Sequence, residues 1–164
     1  MNLVGFNALP DEDAERALLA CCAAPAWARA LAGGRPYADL AAVTGASDTA
    51  IAGLDWPQVE LALAAHPRIG ERPAGGGQEA VWSRAEQSGV DSADAATRAA
   101  LAEANRAYED RFGHVYLVFA TGRTDVELLA AARRRLAHDQ DTERSVVRRE
   151  LAAIAKLRLE RLLG

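Results

Sequence analysis

The sequence predicts an all-α fold, a single-domain helical bundle of about eight helices over residues 1–164. Alanine and leucine, which both favour helices, dominate a composition that is 50% hydrophobic and only 5% aromatic. A chain of 164 residues is also long enough to bury one sizeable core. The single run with strand-like composition, 112–119, is isolated. Because a lone strand leaves its backbone groups unsatisfied, we expect this run to be irregular or helical.

In the first half of the chain, acidic residues and prolines mark helix starts and glycines mark helix ends. The acidic run 11–13 suits the positive N-terminal end of a helix dipole. Pro25 and Pro36 fit the first position of a helix, and Asp55 can cap the helix that delivers His66. The predicted helices run from Asp11 through Cys22, from Pro25 to Gly33-Gly34, from Pro36 to Gly45 and from Asp55 to His66, with a short turn from Ser47 or Asp48 to Leu54.

The second half begins with a loop, from Pro67 to Gln78, that shows no hydrophobic periodicity. Helical spacing returns after it, and Thr124 is a suitable cap for one of the helices that follow. The predicted elements are a helix over Glu79–Ser88, a turn at Asp91–Asp94, a long helix to about Phe112, a helix from Thr124 to about His138, and a last helix capped by Asp141 or Thr142.

Composition and charge exclude several classes of protein. The formal net charge of −4 argues against nucleic acid as the main partner. No apolar run approaches the ~20 residues of a membrane span, and the first ten residues lack the features of a signal peptide. Cys21 and Cys22 are adjacent and poorly placed to bridge one another. We therefore expect a cytoplasmic protein with no membrane or nucleic-acid partner.

His66 is the first candidate functional residue. It lies in the run His66-Pro67-Arg68-Ile69-Gly70-Glu71, where Pro67 ends an apolar helix. Histidine can give and take a proton near neutral pH, and a proline beside it stiffens the backbone that positions it. A histidine that only caps the end of its helix is the structural alternative, and it is the commoner case for an isolated histidine.

Glu86 and Gln87 form a second candidate pair, in the run Ser83-Arg84-Ala85-Glu86-Gln87. A carboxylate near an imidazole stabilises its protonated form, and an amide can bind a polar substrate. Ser83-x-x-Glu86 also matches a helix capping box, which would give Ser83 and Glu86 a purely structural role. Both interpretations stay open at this point.

Arginines supply candidate anion-binding groups, since a guanidinium holds carboxylates and planar ureido-like groups with paired donors. Arg68, Arg123 and Arg158 are the candidates, and Arg158 stands out because it lies inside the last amphipathic helix. The run 133–135 is interpreted as a solvated face.

Signatures of metal and phosphate sites are missing from the sequence. The histidines at 66, 114 and 138 include no pair at the i, i+4 spacing of a helical zinc site, so we expect no metal. Gly75-Gly76-Gly77 lacks the Gly-Lys-Ser/Thr of a phosphate loop and is interpreted as a mobile flap or a tolerated surface loop.

Taken together in this order and spacing, the runs resemble the family of 2-oxo-4-hydroxy-4-carboxy-5-ureidoimidazoline (OHCU) decarboxylases, which act in urate degradation. The resemblance covers nearly the whole chain. Besides the two central runs, it rests on Asn7, Cys21-Cys22 with Trp27, Arg35-Pro36-Tyr37, Asn105 with Tyr108-Glu109 and Arg111-Phe112-Gly113, Ala120-Thr121-Gly122-Arg123, and Ile154 with Leu157-Arg158-Leu159.

The resemblance implies an all-α enzyme that needs no cofactor and often forms homodimers. It implies that His66 and Glu86 are catalytic and that Gln87 lines the substrate pocket, with Pro67 and Ser83 at its wall. Arg158 would match the family's C-terminal substrate-binding arginine. Some relatives carry aromatic and proline residues where this chain has 114–116, so the role of His114 at the pocket floor stays open.

The implied reaction is decarboxylation of OHCU to (S)-allantoin, with His66 as general acid/base and OHCU as the small-molecule partner. Two other functions are weighed against it. A non-catalytic helical binding module would leave His66 and Glu86 apart. Another cofactor-free ureide enzyme on the same scaffold would form a pocket but would not turn over OHCU.

Overall fold

Helices account for almost all of the regular structure. The computed structural model describes residues 1–71, 76–90 and 94–164, and in these ranges it contains nine α-helices, one 3-10 turn at Ser88–Val90 and no strand. The predicted all-α class is confirmed. The helices are α1 (Leu3–Asn7), α2 (Asp11–Leu19), α3 (Pro25–Gly33), α4 (Leu40–Ala52), α5 (Trp56–Ala64), α6 (Gln78–Glu86), α7 (Ala95–Phe112), α8 (Asp125–Arg135) and α9 (Gln140–Leu163).

Tertiary contacts divide the chain into two compact units. Unit 1 comprises residues 1–62 and 151–164, and unit 2 comprises residues 63–150. Helices α5 and α9 therefore each supply residues to both units. The interpretation of 1–164 as a single domain stays a prediction. No helix in the described ranges is both long and apolar enough to cross a membrane.

In unit 1, α3 packs against α2 and α4 around the buried Trp27. The indole Nε1 of Trp27 donates a hydrogen bond to Ser47 Oγ at 3.1 Å, which satisfies the one polar atom of that ring. Arg35 Nη1 donates to the carbonyl oxygens of Phe6 and Leu9 at 2.9 and 2.7 Å. These bonds tie Arg35, which follows α3, to the end of α1 and the turn that follows it.

The predicted helix from Pro36 to Gly45 is wrong in its bounds. Asn7 bonds both backbone groups of Tyr37, donating to its carbonyl at 2.9 Å and accepting from its N–H at 3.0 Å. These bonds hold the chain outside a helix until Asp39, whose carboxylate caps α4 by accepting from Ala42 N. Helix α4 then runs through Gly45 and most of the predicted turn at 47–54, and it ends at Ala52. One glycine costs less free energy than the packing of a long helix contributes.

Other helix ends also differ from the sequence prediction. Helix α1 was not predicted, and α2 ends at Leu19 rather than Cys22. Helix α9 begins before Asp141, because Asp139 provides the cap by accepting from Thr142 N at 2.7 Å. Side-chain caps elsewhere agree with the prediction. Asp55 accepts from Gln58 N, and Thr124 forms a capping box with Glu127.

The core of unit 2 lies between α7, α8 and the run 112–119 that looked like a strand. After Gly113, whose φ of 78° ends α7, residues 115–120 are irregular, which confirms that prediction. Tyr116, Leu117 and Val118 are nevertheless buried. Phe119 N donates to Glu150 Oε2 at 2.7 Å, and Leu117 O accepts from Arg135 Nη1 at 2.6 Å, so side chains take the place of a partner strand for these backbone groups.

A buried ion pair joins the elements of this core, and the solvated face expected at 133–135 is wrong for Arg135, which is 5% exposed. Arg135 Nε on α8 donates to Glu143 Oε1 on α9 at 2.7 Å, and both side chains are almost fully buried. Tyr108 OH on α7 also donates to Glu143, and His138 Nδ1 lies 2.8 Å from its second oxygen. Arg135 Nη1 donates to Leu117 O at 2.6 Å, which fixes the irregular segment. Each charge thus has several partners, as a buried pair requires.

The carboxyl group of Glu143 is held in its charged form. Burial by itself would raise its pKa, but the hydrogen bonds from Arg135 and Tyr108 outweigh burial and lower the pKa below its usual 4.5. For Tyr108, burial and the bond to Glu143 raise the pKa of the phenol, so it stays a donor. A carboxyl group whose pKa is lower in the folded than in the unfolded protein stabilises the fold at a pH above its pKa in the unfolded state. That contribution is lost as the pH falls through its pKa in the folded state.

We predict that Glu143→Gln lowers the free energy of unfolding by about 3–5 kcal/mol, because it leaves the Arg135 charge buried without a counter-charge. The measurement is urea denaturation at pH 7, with Glu103→Gln, an exposed change on α7, as the matched control. Below about pH 4.5 the wild type should lose stability more steeply than the variant. A loss of under ~1 kcal/mol at pH 7, or equal acid sensitivity, would contradict the assigned role.

Candidate active site

His66 lies at the break that Pro67 was predicted to impose. Helix α5 ends at Ala64, and His66 N donates to Leu63 O at 3.0 Å, an i to i−3 bond that tightens the last turn. The imidazole is half-buried. A helix lies before the histidine and a proline directly after it, so the backbone that carries the ring is constrained on both sides.

Helix α6 carries the second motif, and its bounds decide whether Ser83 and Glu86 can form a capping box. The helix begins at Gln78 after the N-cap Gly77 and ends at Glu86, with Gln87 as its C-cap. Ser83 is therefore inside the helix and cannot be the N-cap of a capping box with Glu86, so that interpretation is wrong. Ser83 and Glu86 are three residues apart on one face, and both are buried, at 3% and 8% exposure.

A cavity of about 230 Å³ brings several of these residues together. The end of α5 and the residues after it contribute His66 and Pro67, and α6 contributes Ser83. Glu79 also lines the cavity and was missed by the sequence analysis. It lies one turn before Ser83, so the helical face that carries Ser83 and Glu86 could have indicated it.

Gln87 ties the loop after Pro67 to the end of α6. Its Oε1 accepts from Gly70 N at 3.0 Å, and its Nε2 lies 3.5 Å from Arg68 O, at the outer limit for a hydrogen bond. Gly70 has a φ of 88°, a conformation that favours glycine. This explains why the motif has a glycine at this position. The amide of Gln87 has a second N–H and a second lone pair, so these bonds leave it able to contact a substrate as well.

The other predicted residues, Arg68 and Gln87 among them, lie outside this cavity. Glu86 is buried on α6 next to Gln87. Arg158 lies in unit 1, on α9, and is only 1% exposed. Arg123 follows Gly122 and is half-buried. Their predicted contacts with a substrate stay predictions.

The remaining candidates are His114, a metal site and the glycine run 75–77. The His114 ring packs edge-on against Tyr108, with ring centres 5.5 Å apart. In the described ranges, no three or more His, Cys, Asp or Glu side chains are grouped so as to hold a metal ion. Residue 75 of the glycine run lies outside the described residues, and Gly76 and Gly77 precede α6. The interpretation of 75–77 as a flap stays a hypothesis.

The chain is similar to known proteins over most of its length. The family model for OHCU decarboxylase matches residues 7–160. An OHCU decarboxylase of Amia calva is 28% identical over 141 residues, which cover 85% of this chain and 81% of that protein. The uric acid degradation bifunctional protein TTL of Arabidopsis thaliana is 29% identical over 151 residues, which cover 88% of this chain. The chain spans 45% of the length of that relative.

Solved structures show the same fold. A crystal structure of OHCU decarboxylase in the presence of (S)-allantoin aligns with a TM-score of 0.78 and 24% identity, covering 94% of this chain and 98% of the other. A structure of (S)-allantoin synthase aligns with a TM-score of 0.74 and 18% identity, covering 99% of this chain and 54% of the other.

By its fold, the chain belongs to the class of all-α proteins that includes these two solved structures. Since the family model covers nearly all of it, the chain belongs to the OHCU decarboxylase family.

We predict that Gln87→Leu frees the loop at Arg68–Gly70 while α6 stays folded. The change removes the acceptor of the Gly70 N–H, so exchange of that amide with solvent should rise at least about tenfold. Hydrogen exchange followed by NMR measures it, with Gln78→Leu, an exposed change on the same helix, as the control. Unchanged protection of Gly70 would show that Gln87 does not hold the loop.

Proposed function

We propose that this protein decarboxylates OHCU to (S)-allantoin without a cofactor, with His66 as the general acid/base. The observation that carries the proposal is the shared cavity. In a chain of this family, it places His66, Pro67 and Ser83 around one space of small-molecule size. Family membership alone leaves open whether the site is intact, and the cavity supports an intact site.

The substrate supplies its own electron sink, which explains why the proposal needs no cofactor. OHCU carries a carboxylate and a hydroxyl on one ring carbon, and the neighbouring carbon belongs to a C=N bond. When the C–C bond to the carboxylate breaks, carbon dioxide leaves and the electron pair forms a C=C bond to the neighbouring carbon. The former C=N electron pair moves onto the ring nitrogen, which takes up a proton, and an enol forms. The carbon that carries the ureido group then takes up a proton, and the enol hydroxyl loses one as it becomes a carbonyl. The net change is loss of carbon dioxide and uptake of one proton.

His66 is suited to both proton movements. Imidazole exchanges protons near neutral pH, and the constrained end of α5 keeps the ring at the cavity wall. In the proposal it accepts the hydroxyl proton and delivers a proton to one face of the ring. Protonation of one face only yields the (S) product.

In the proposal, the other predicted residues bind the substrate and orient His66. Glu86 would orient His66 and accept hydrogen bonds from ring or ureido N–H groups. Gln87 would bind the ureido group with the N–H and lone pair that the loop does not use. Arg158 would bind an anionic or carbonyl oxygen, and Pro67 and Ser83 would form the pocket wall. Placing a carboxylate in a partly apolar site leaves it poorly solvated, which favours loss of carbon dioxide.

We also propose a homodimer in the cytoplasm. The dimer follows from the family resemblance, and gel filtration with light scattering measures it. The cytoplasm fits the two cysteines, which are buried thiols and form no disulfide. Fluorescence imaging of the tagged protein measures location.

We predict that His66→Asn lowers the decarboxylation rate by at least ~10²-fold while the fold is retained, because it removes the group that moves protons. The assay generates OHCU from urate with the upstream enzymes and follows (S)-allantoin by circular dichroism. Spontaneous decay of OHCU is the baseline. Substantial residual activity would disprove the role of His66. A wild-type rate no faster than decay would favour a binding module or a related ureide substrate.

For Glu86→Ala we predict a large loss of rate together with weaker substrate binding. The reason is that the variant loses the carboxylate that orients His66 and accepts from the substrate. Steady-state kinetics in the same assay separate kcat from KM, and Glu103→Ala on the exposed face of α7 is the matched control. A variant that loses stability but keeps its kinetics would show that Glu86 is only structural.

A further inference from the structure

A second and larger cavity in unit 2 is lined by the loop after Pro67. Its volume is about 320 Å³, the size of a small-molecule site. One wall is the loop Arg68–Glu71, and the other is a face of α7. His66, Pro67 and Ser83 line the first cavity and not this one. The proposed reaction therefore leaves it without a role.

The lining is positively charged in an acidic protein. Three arginines and two glutamates line the cavity, whereas the formal net charge of the chain is −4. Arg68 is neutralised by Glu109, to which it donates at 2.6 and 3.0 Å. Among the described residues, Arg98 and Arg106 form no ion pair. Both guanidinium groups are exposed and available to an anion, and the Arg98 charge also acts on Asp94, whose pKa is lowered first by the Thr97 N–H and then by Arg98.

The spacing along α7 leaves room between these two arginines. Arg98, Ala102 and Arg106 follow one another at i, i+4 and i+8, so they lie on one face over about 12 Å of helix axis. Ala102 is exposed and lines the cavity. Because its side chain is a single methyl group, the space between the two long arginines stays open.

A buried acceptor completes the site. Asn105, three residues after Ala102, lines the cavity and is only 4% exposed. Its Nδ2 donates to Ile69 O at 2.9 Å, but its Oδ1 is buried and accepts no hydrogen bond from any described residue. A buried acceptor without a donor is costly, so a ligand N–H that reached it would be favoured.

We propose that this cavity binds a small carboxylate that also carries an N–H donor. The carboxylate lies over Ala102 between Arg98 and Arg106, and a ligand N–H donates to Asn105 Oδ1. The side chain of Leu101 forms an apolar part of the wall. The site is separate from the proposed reaction and does not depend on it.

The test is an NMR titration of the ¹⁵N-labelled protein with N-carbamoylglycine, the simplest ureido carboxylate. Acetate, which lacks the N–H, and urea, which lacks the charge, are the comparison probes. We expect shift changes at residues 98–109 and binding at least about tenfold tighter for N-carbamoylglycine than for either comparison probe. Because signals are resolved by residue, binding near His66 and Ser83 is read separately, and His66→Asn should leave binding at α7 unchanged.

Two variants with matched controls complete the experiment. Arg106→Gln should weaken binding about tenfold, with Arg133→Gln, an exposed change of the same charge on α8, leaving it unchanged. Ala102→Leu should abolish binding by filling the space, whereas Ala99→Leu, exposed on the same helix, should have no effect. Binding at α7 that both Arg106→Gln and Ala102→Leu leave intact would overturn the proposal. So would shift changes confined to the His66 cavity, or equal binding of acetate.

Discussion

Unit 2 depends on the buried ion pair between Arg135 and Glu143. Glu143 accepts from Arg135 on α8 and Tyr108 on α7, and Arg135 also donates to the backbone of Leu117. The pair therefore joins three helices and the irregular segment that follows α7. A buried charge is tolerated only when it is paired and hydrogen-bonded, so these elements must meet in one arrangement. The same constraint lets a strand-like run stay irregular inside an all-α core.

The loop after Pro67 is the second organising feature. Asn105 holds Ile69, Gln87 holds Gly70, and Glu109 holds Arg68. Side chains from α6 and α7 thus fix three consecutive loop residues whose own backbone forms no regular structure. Since one end of this loop carries His66 and its other residues line the larger cavity, a single loop shapes two spaces. Motif residues such as Gln87 and Asn105 therefore hold the loop in place, in addition to any contact with a ligand.

Much of the fold could be predicted from local signals, whereas the errors arise from bonds and burial that involve distant parts of the chain. The caps at Asp55 and Thr124 and the break at Pro67 were predicted correctly, because they depend on neighbouring residues. The start of α4 was not, since it is set by bonds from Asn7 to Tyr37, thirty residues away. The capping-box interpretation of Ser83 failed for a similar reason. Helix α6 begins five residues before Ser83, and burial of that face, rather than capping, explains Ser83 and Glu86.

The sequence by itself determined the all-α class, the family and the residue types of the candidate site, because helix propensity, capping and motif spacing are properties of short segments. Only the tertiary structure decided which side chains share a cavity. It joined His66 with Ser83 and added Glu79, and it placed Arg98, Asn105 and Arg106 around a space that no motif marks. The reason is physical. Burial and hydrogen bonding between distant segments depend on how helices pack, and packing is a property of the whole chain rather than of any short run.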